Sequence, residues 1–359
     1  MRLALALGAR GLGNVWPNPA VGCVIVRAGC IVGRGWTQPG GRPHAEAVAL
    51  AQAGEAARGA TAYVTLEPCA HHGKTPPCAT SLVAAGVERV VVATGDPDPR
   101  VAGAGLALLR AAGITVETGV LEARARRANE GFLRRVIEGR PLVTLKLAAS
   151  LDGRIATATG ESRWITGPAA RREVHALRLR HDAVLVGAGT ARADDPVLTV
   201  RGLGAARQPV RIVAARRLDV PVQGRLFTEM ETAPVWLCHG PEAAADLRER
   251  WRARGARLFE AAVGDGGLDP QAMLLALGRA GLTRVFCEGG GALATSLLMA
   301  GVVDELVTFS AGMAIGAEGR PALGAMGLDR LGAAPRFQLD RLCAIGPDAM
   351  AVWRPLRGH

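Results

Sequence analysis

The residues best suited to chemistry in this 359-residue chain are one histidine, two cysteines and a glutamate: His44-Ala-Glu46 opening an alanine-rich stretch, then Pro68-Cys69 and Cys78. One imidazole and two thiolates make three protein ligands for a tetrahedral zinc and leave the fourth position to water, the ligand count of a catalytic site. Zinc brings the pKa of that water toward about 7, so hydroxide is available at neutral pH to attack an electrophilic ring carbon. Glu46, two residues beyond His44, is poorly placed as a fourth ligand but can reach the water and carry its proton. Two plainer readings stand beside this one. Cys69 and Cys78 could be ordinary buried thiols with His44 at a helix end, or the ion could be structural, with His71 or His72 as fourth donor.

His-x-Glu followed by Pro-Cys and a second cysteine is similar to the pattern of zinc nucleobase deaminases, although eight residues separate the cysteines here instead of two. Two glycine turns form a second set of interest. Val184-Leu-Val-Gly-Ala-Gly-Thr190 ends a strand in small residues, and Val285-Phe-Cys-Glu-Gly-Gly-Gly-Ala-Leu-Ala-Thr-Ser296 passes from a strand through three glycines into a helix. Backbone N–H groups at such a turn can bind phosphate, although a tight strand-to-helix turn calls for glycine in any case. No Gly-x-Gly-x-x-Gly follows an early strand, so a Rossmann dinucleotide site is not supported.

Positioning these groups takes two α/β domains, 1–140 and 141–359. The first reads as a helix at the start, a hairpin at 21–32, a helix over 44–53, a strand at 62–66, a helix at 80–85 and a strand at 87–93. A helix over 103–112, a strand at 114–116 and one arginine-rich helix over 121–136 complete it: a mixed sheet with helices on its faces. Gly139-Arg-Pro141 marks the boundary, and a strong strand, Leu142 to Leu147, restarts the pattern. Buried strands at 183–186, 210–213, 235–238, 284–287 and 305–310, mostly with helices between them, make the second domain α/β as well.

Composition narrows the function classes. Hydrophobic residues at 49%, charged residues at 21% and few aromatics belong to a globular protein rather than a disordered one. The net charge of +11 invites a nucleic-acid reading, but the surplus is spread over both halves, with 16 basic against 10 acidic groups before residue 141 and 27 against 22 after it. A negatively charged small substrate accounts for it equally well. Seven cysteines, an odd number in a chain of this size, suit a reducing compartment, so a cytoplasmic location is expected. No apolar run is long enough to cross a bilayer.

Pro17-Asn-Pro-Ala-Val-Gly-Cys-Val-Ile-Val, Pro43-His-Ala-Glu and Leu66-Glu-Pro-Cys-Ala-His-His-Gly-Lys-Thr-Pro-Pro-Cys78 resemble the deaminase half of the bifunctional riboflavin biosynthesis deaminase/reductases. The long cysteine spacing is that family's own. The resemblance continues through Gly95-Asp-Pro-Asp-Pro and Asn129-Glu-Gly-Phe132 into Leu145-Lys-Leu-Ala-Ala-Ser-Leu-Asp-Gly153, Gly160-Glu-Ser-Arg-Trp-Ile-Thr166, Ala193-Asp-Asp-Pro-Val-Leu-Thr199 and Glu288-Gly-Gly-Gly, and so covers nearly the whole chain.

The resemblance implies a cytidine-deaminase-like domain followed by a dihydrofolate-reductase-like one. It makes His44, Cys69 and Cys78 the ligands of one Zn2+, Glu46 the proton carrier, and Asn18, His71 and Lys74 substrate contacts. Lys74 also suits a phosphate on its own account, as a point charge in a polar loop. In the second domain it implies an NADPH site lined by Ala148, Trp164, Thr190, Asp194 and the run Gly290, Gly291, Ala292, Leu293, Ala294, Thr295, Ser296. It implies that Ser162, Arg178, Leu198, Arg201 and Glu288 hold the phosphoribosyl substrate, and guanidinium forks on Arg178 and Arg201 suit a phosphate. Lys146 and Asp194 are the polar groups expected beside the reacting sugar. Asp194-Asp195-Pro196 could equally be a turn or a helix cap.

Two departures from the family stand out. Thr37 replaces a usual histidine, and Ala215-Arg216 replaces a usual Asp-Ser, with Arg216 a candidate partner for the NADP 2′-phosphate. The implied reactions are zinc-hydroxide deamination of a diaminopyrimidinone ribotide and NADPH reduction of its ribosyl group to ribityl. The expected partner is a phosphorylated small molecule, without nucleic acid or membrane, in a homo-oligomer. A zinc deaminase of nucleosides or RNA is the rival, disfavoured because six Trp, six Phe and one Tyr leave little for base stacking.

Overall fold

The computed structural model describes residues 1–70, 76–99, 101–205, 207–264 and 267–356. The chain divides into two compact units, Met1–Arg140 and Pro141–His359.

In the first unit, α1 (Arg2–Gly8) precedes the hairpin β1 (Gly22–Arg27) and β2 (Cys30–Trp36). Then come α2 (Ala45–Ala53), β3 (Thr61–Val64), α3 (Cys78–Ala84), β4 (Arg89–Val92), α4 (Ala104–Ala111), β5 (Thr115–Thr118), α5 (Glu122–Ala128) and α6 (Glu130–Glu138). The sheet runs β2-β1-β3-β4-β5, with the first two pairings antiparallel and the last two parallel. With few aromatic side chains available, its core is built by close approach. Ala45, Ala49 and Ala53 recur every fourth residue on α2, which puts them on one buried face. Gly33 and Gly35 of β2 lie beneath that face: a Cβ on Gly33 would stand 2.2 Å from the Ala49 carbonyl oxygen, and one on Gly35 2.1 Å from that of Ala45. Any side chain there would push α2 away from the sheet.

One expectation is corrected in this unit. The single helix over 121–136 is two helices, α5 and α6, which meet at Asn129 with φ −100° and ψ 12°. Asparagine is a weak helix former whose side chain competes for backbone partners, and here it is buried at the break.

The second unit comprises β6 (Leu142–Ser150), β7 (Arg154–Ala156), α7 (Pro168–Leu179), β8 (Ala183–Gly187), α8 (Ala188–Asp194), β9 (Val210–Ala214), β10 (Val235–His239), α9 (Ala245–Ala253) and β11 (Arg257–Glu260). It continues with the short strands β12 (Val263–Gly264) and β13 (Gly267–Leu268), then α10 (Pro270–Arg279), β14 (Arg284–Cys287), α11 (Gly291–Met299), β15 (Glu305–Ala311), β16 (Arg320–Pro321), β17 (Phe337–Ile345) and β18 (Asp348–Pro355). Nine strands form one sheet in the order β11-β10-β9-β8-β14-β6-β15-β18-β17. The seven from β11 to β15 are parallel, and β18 and β17 add an antiparallel edge. Val184, Val186, Val213, Leu237 and Phe286 from the parallel strands pack with Trp251 and Phe227 on one face, and Leu185 and Ile212, which point to the other, are fully buried as well, so the strands are covered on both faces. The buried Asp182 carboxylate fixes the start of the β8–β14 pair by accepting from Thr283 N (2.6 Å), Thr283 Oγ1 (2.7 Å) and Arg284 N (2.8 Å).

His181, just before β8, predicts an acid weakness. Its Nδ1 lies 2.6 Å from the Leu177 carbonyl oxygen, which only accepts, so Nδ1 carries the proton and Nε2 accepts from Thr144 Oγ1 at 2.9 Å. Burial pulls its pKa down to about 3 from an ordinary 6.5, with Arg284 adding to the effect. The folded state therefore prefers the neutral ring: its contribution is complete above pH 6.5 and is lost as pH falls below 6.5 toward 3. Between pH 6.5 and 5 the loss is about 2 kcal/mol. Urea unfolding of His181→Gln should show a pH dependence shallower by that amount, and an unchanged dependence would contradict the assignment.

Candidate active sites

Three elements bring the metal-ligating side chains together in the first unit. His44 sits in extended conformation at the cap position of α2, Cys78 is the first residue of α3, and Cys69 lies in the loop after β3. His44 Nδ1 is 3.3 Å from Cys78 Sγ and 3.7 Å from Cys69 Sγ, and all three ligand atoms lie within 4.8 Å of one another. Cys69 is held by α3, since Cys78 N–H donates to its Sγ (3.3 Å) and Ala79 N–H to its carbonyl oxygen (3.2 Å). Glu46 occupies the first turn of α2 and is 3% exposed.

Drawn together, these side chains shift one another's protonation. A hydrogen bond from Cys78 leads the causes that bring the Cys69 thiol down to about 4, with His44 assisting. The same bond, with burial, pushes Cys78 up. A bond to Cys69 raises the His44 imidazole, and burial raises the Glu46 carboxyl. One nitrogen and two sulfurs at this separation fit zinc, and no fourth His, Cys, Asp or Glu joins the set among the described residues.

Glu67 carries a role that the sequence reading missed. Its buried carboxylate accepts N–H groups from Gly103 (3.1 Å), Gly105 (3.0 Å), Leu106 (3.3 Å) and Asp96 (3.4 Å), tying the loop two residues before Cys69 to the start of α4. Gly105 permits this approach, because a Cβ there would stand 2.0 Å from the Pro68 carbonyl oxygen. An acidic side chain opposite an uncapped helix start is the usual cue, but it lies 36 residues away in sequence.

Asn18 donates from Nδ2 to the Gly41 carbonyl oxygen at 3.1 Å. His71 and Lys74 lie outside the described residues. Thr37 is turned inward: its Oγ1 accepts from Val21 N at 3.0 Å and its side chain is buried, so it serves the backbone of β1's approach.

In the second unit the glycine turns lie at the C-terminal ends of two neighbouring parallel strands, β8 and β14, where α/β sheets bind ligands. Thr190 of α8 accepts the Gly290 N–H at 3.1 Å, and α11 begins with no side-chain cap. A Cβ on Gly291 would stand 3.2 Å from the Ala322 carbonyl oxygen. This open helix start on a glycine turn fits a cofactor pyrophosphate. Ala292 is exposed, while Leu293 and Ser296 are half-buried. Ala294 is fully buried, and the buried Thr295 accepts Gly324 N at 2.8 Å, so these two support the helix from its inner side. Ala148 is half-buried on β6 opposite Phe309, Ser162 is half-buried, and Trp164 is exposed with the Arg171 guanidinium 4.5 Å from its ring centre.

Arg178 and Glu288 form a bidentate pair, Nε to Oε1 at 2.5 Å and Nη2 to Oε2 at 3.0 Å, while Nη1 donates to the Thr199 carbonyl oxygen at 2.8 Å. The fork read as a phosphate holder therefore grips a carboxylate. Burial opposes charge on Glu288, but Arg178, by charge and hydrogen bond, and then Lys146 hold its carboxyl below the usual range. Lys146, one residue past the Leu145–Cys287 pairing, has its ammonium disfavoured by burial and by Arg178, against Glu288. Arg201 is exposed and has no carboxylate partner among the described residues. Leu198, read as a substrate contact, has its side chain in the core at 3% exposure, which leaves only its backbone to a ligand.

Asp194 ends α8, exposed, with its carbonyl oxygen accepting from Arg163 and Arg225, each at 3.3 Å. Asp195 takes the structural part of the pair, accepting Arg225 N (3.0 Å) and Leu226 N (3.4 Å). Ala215 is fully buried, and Arg216 Nη2 donates to Glu242 Oε2 at 3.0 Å.

A three-ligand zinc-type triad beside a buried glutamate in one unit, and a phosphate-type glycine turn at the C-terminal ends of parallel strands in the other, are the parts that a two-function deaminase/reductase requires. Comparison with known proteins agrees. Residues 1–94 match the cytidine and deoxycytidylate deaminase zinc-binding region, and residues 141–351 match the RibD C-terminal domain. The chain is 43% identical over 358 residues to the riboflavin biosynthesis protein RibD of Escherichia coli, covering 97% of this chain and 96% of that one. It is 41% identical over 359 residues to that of Bacillus amyloliquefaciens, covering 100% and 96%. Among solved structures, Acinetobacter baumannii RibD (form 2) superposes with a TM-score of 0.88 at 39% identity, covering 99% of this chain and 97% of that one. A diaminohydroxyphosphoribosylaminopyrimidine deaminase/5-amino-6-(5-phosphoribosylamino)uracil reductase from Thermotoga maritima gives 0.86 at 35%, with the same coverages. This chain belongs to the RibD family, the bifunctional deaminase/reductases of riboflavin biosynthesis.

Proposed function

We propose that the first unit deaminates 2,5-diamino-6-(5-phosphoribosylamino)pyrimidin-4(3H)-one and that the second reduces the ribosyl group of 5-amino-6-(5-phosphoribosylamino)uracil to ribityl. The observation that carries the reading is the convergence of His44, Cys69 and Cys78 beside the buried Glu46. His44, Cys69 and Cys78 would hold zinc, which when bound supplies a water acidic enough to serve as nucleophile at neutral pH. Glu46, buried in the first turn of α2, would take up the proton released by the nucleophile and return it to the departing amino nitrogen. Asn18, His71 and Lys74 hold the substrate, Lys74 at its phosphate.

In the second unit Thr190 and the turn Gly289–Gly291 hold NADPH, which supplies a hydride to C1′ when bound. Glu288, fixed by Arg178, accepts from sugar hydroxyls, and Arg201 meets the phosphate. Lys146 and Asp194 are the candidates for handling the proton of ring opening. We read the protein as a cytoplasmic homo-oligomer acting on phosphorylated small molecules; no helix among the described residues is long and apolar enough to cross a membrane.

A coupled assay tests the whole reading: zinc-loaded protein, the diaminopyrimidinone ribotide and NADPH, with ammonia and absorbance at ~340 nm followed together. Ammonia release followed by NADPH loss is expected. Neither signal would return the nucleic-acid deaminase to consideration.

A further inference from the structure

Helix α7 presents His175 and Arg178 three residues apart, so both side chains emerge on one face. Both reach the same short segment beyond α8. Arg178 Nη1 donates to the Thr199 carbonyl oxygen at 2.8 Å, and the Arg201 backbone N–H donates to His175 Nδ1 at 3.2 Å. Two further donors of Arg178, Nε and Nη2, grip Glu288 after β14. One helix face thus fixes, from both ends, a three-residue stretch that ends on the exposed Arg201.

We propose that His175 is a positioning residue of the reductase site: by accepting the Arg201 N–H it sets the backbone from which the Arg201 guanidinium meets the substrate's ribose phosphate. The inference rests on the reading of Arg201 as the phosphate contact given above. Acceptance requires an unprotonated Nδ1. Burial, Arg178 and Arg201 all lower the imidazole's pKa, against Glu288 and the Thr199 carbonyl, and so keep Nδ1 an acceptor at neutral pH. Arg178 holds Thr199, and the Gln208 side chain holds Val200 by accepting its N–H at 2.7 Å and donating to its carbonyl oxygen at 3.2 Å, but His175 is the group that holds the Arg201 N–H itself.

The test uses the zinc-loaded full chain with 5-amino-6-(5-phosphoribosylamino)uracil and its dephosphorylated analogue. His175→Ala should raise KM for the phosphorylated substrate about tenfold, the order expected for one lost hydrogen bond that orients a charged group. Its kcat, KM for NADPH and ammonia release should stay at the parent values, and KM for the dephosphorylated analogue should not rise. His175→Asn, whose Oδ1 can replace Nδ1 as acceptor, should restore the parent KM. A KM that rises equally for both substrates, a loss confined to kcat, or an Asn variant as impaired as the Ala variant would overturn the proposal. If the unmodified protein reduces the phosphorylated substrate and His175→Ala is indistinguishable from it, only this inference falls. If the unmodified protein does not reduce it, the functional reading falls as well.

Discussion

Glu46→Gln is expected to lower the turnover of ammonia release by about 10²–10⁴-fold, the range for removing a positioned general acid/base. Zinc content, and NADPH oxidation with 5-amino-6-(5-phosphoribosylamino)uracil supplied, should stay at the parent level. The substitution preserves size and one hydrogen-bonding oxygen at a side chain that is 3% exposed, so packing of the first turn of α2 on Gly35 is retained. What disappears is the ability to take and return a proton. Retained turnover would move proton transfer to another group. A loss of zinc together with turnover would instead make Glu46 part of the metal's support.

The second large effect is on stability. Arg178→Met leaves the Glu288 carboxylate without its bidentate partner in a site where the two side chains are 12% and 10% exposed. Breaking a buried pair from one side costs about 3–5 kcal/mol, because the remaining charge stays desolvated. For a unit of this size that lowers Tm by about 6–20 °C. Reductase activity should fall as well, since Arg178 also holds Thr199. Arg178→Met with Glu288→Leu should recover much of the stability but not the activity, because the stranded charge is gone while the polar contact is not restored. Calorimetry of the three variants decides this, and equal stability of Arg178→Met and the parent would show that the pair is not desolvated.

Much of the architecture could be read from pattern alone. The parallel strands of the second unit are short apolar runs bounded by glycine and charge, and the helix over Ala45–Ala53 follows from its alanine spacing. The C-terminal edge was not legible: β17 alternates weakly and has Leu339 and Leu342 exposed, while Cys343 and Ile345 pack against the cluster that includes Met350 and Val352 of β18. The break at Asn129 was missed because the arginine-rich pattern continues across it, and one buried amide decides the geometry.

The metal set was visible because its chemistry requires rare residue types in a fixed order. The bracing contacts were not, since each joins residues far apart in sequence through backbone groups: Glu67 to Gly105, Asp182 to Thr283, His175 to Arg201. Arg178 shows the limit from the other side. The resemblance implied a substrate-holding fork, and the fold shows that this fork also engages Glu288, a contact 110 residues away in sequence.

The most direct test of the central claim removes the metal. Protein treated with a chelator should lose ammonia release from the diaminopyrimidinone ribotide, and added zinc should restore it, while NADPH oxidation with 5-amino-6-(5-phosphoribosylamino)uracil persists throughout. A chelated, metal-free protein that still releases ammonia would contradict the assignment of His44, Cys69 and Cys78.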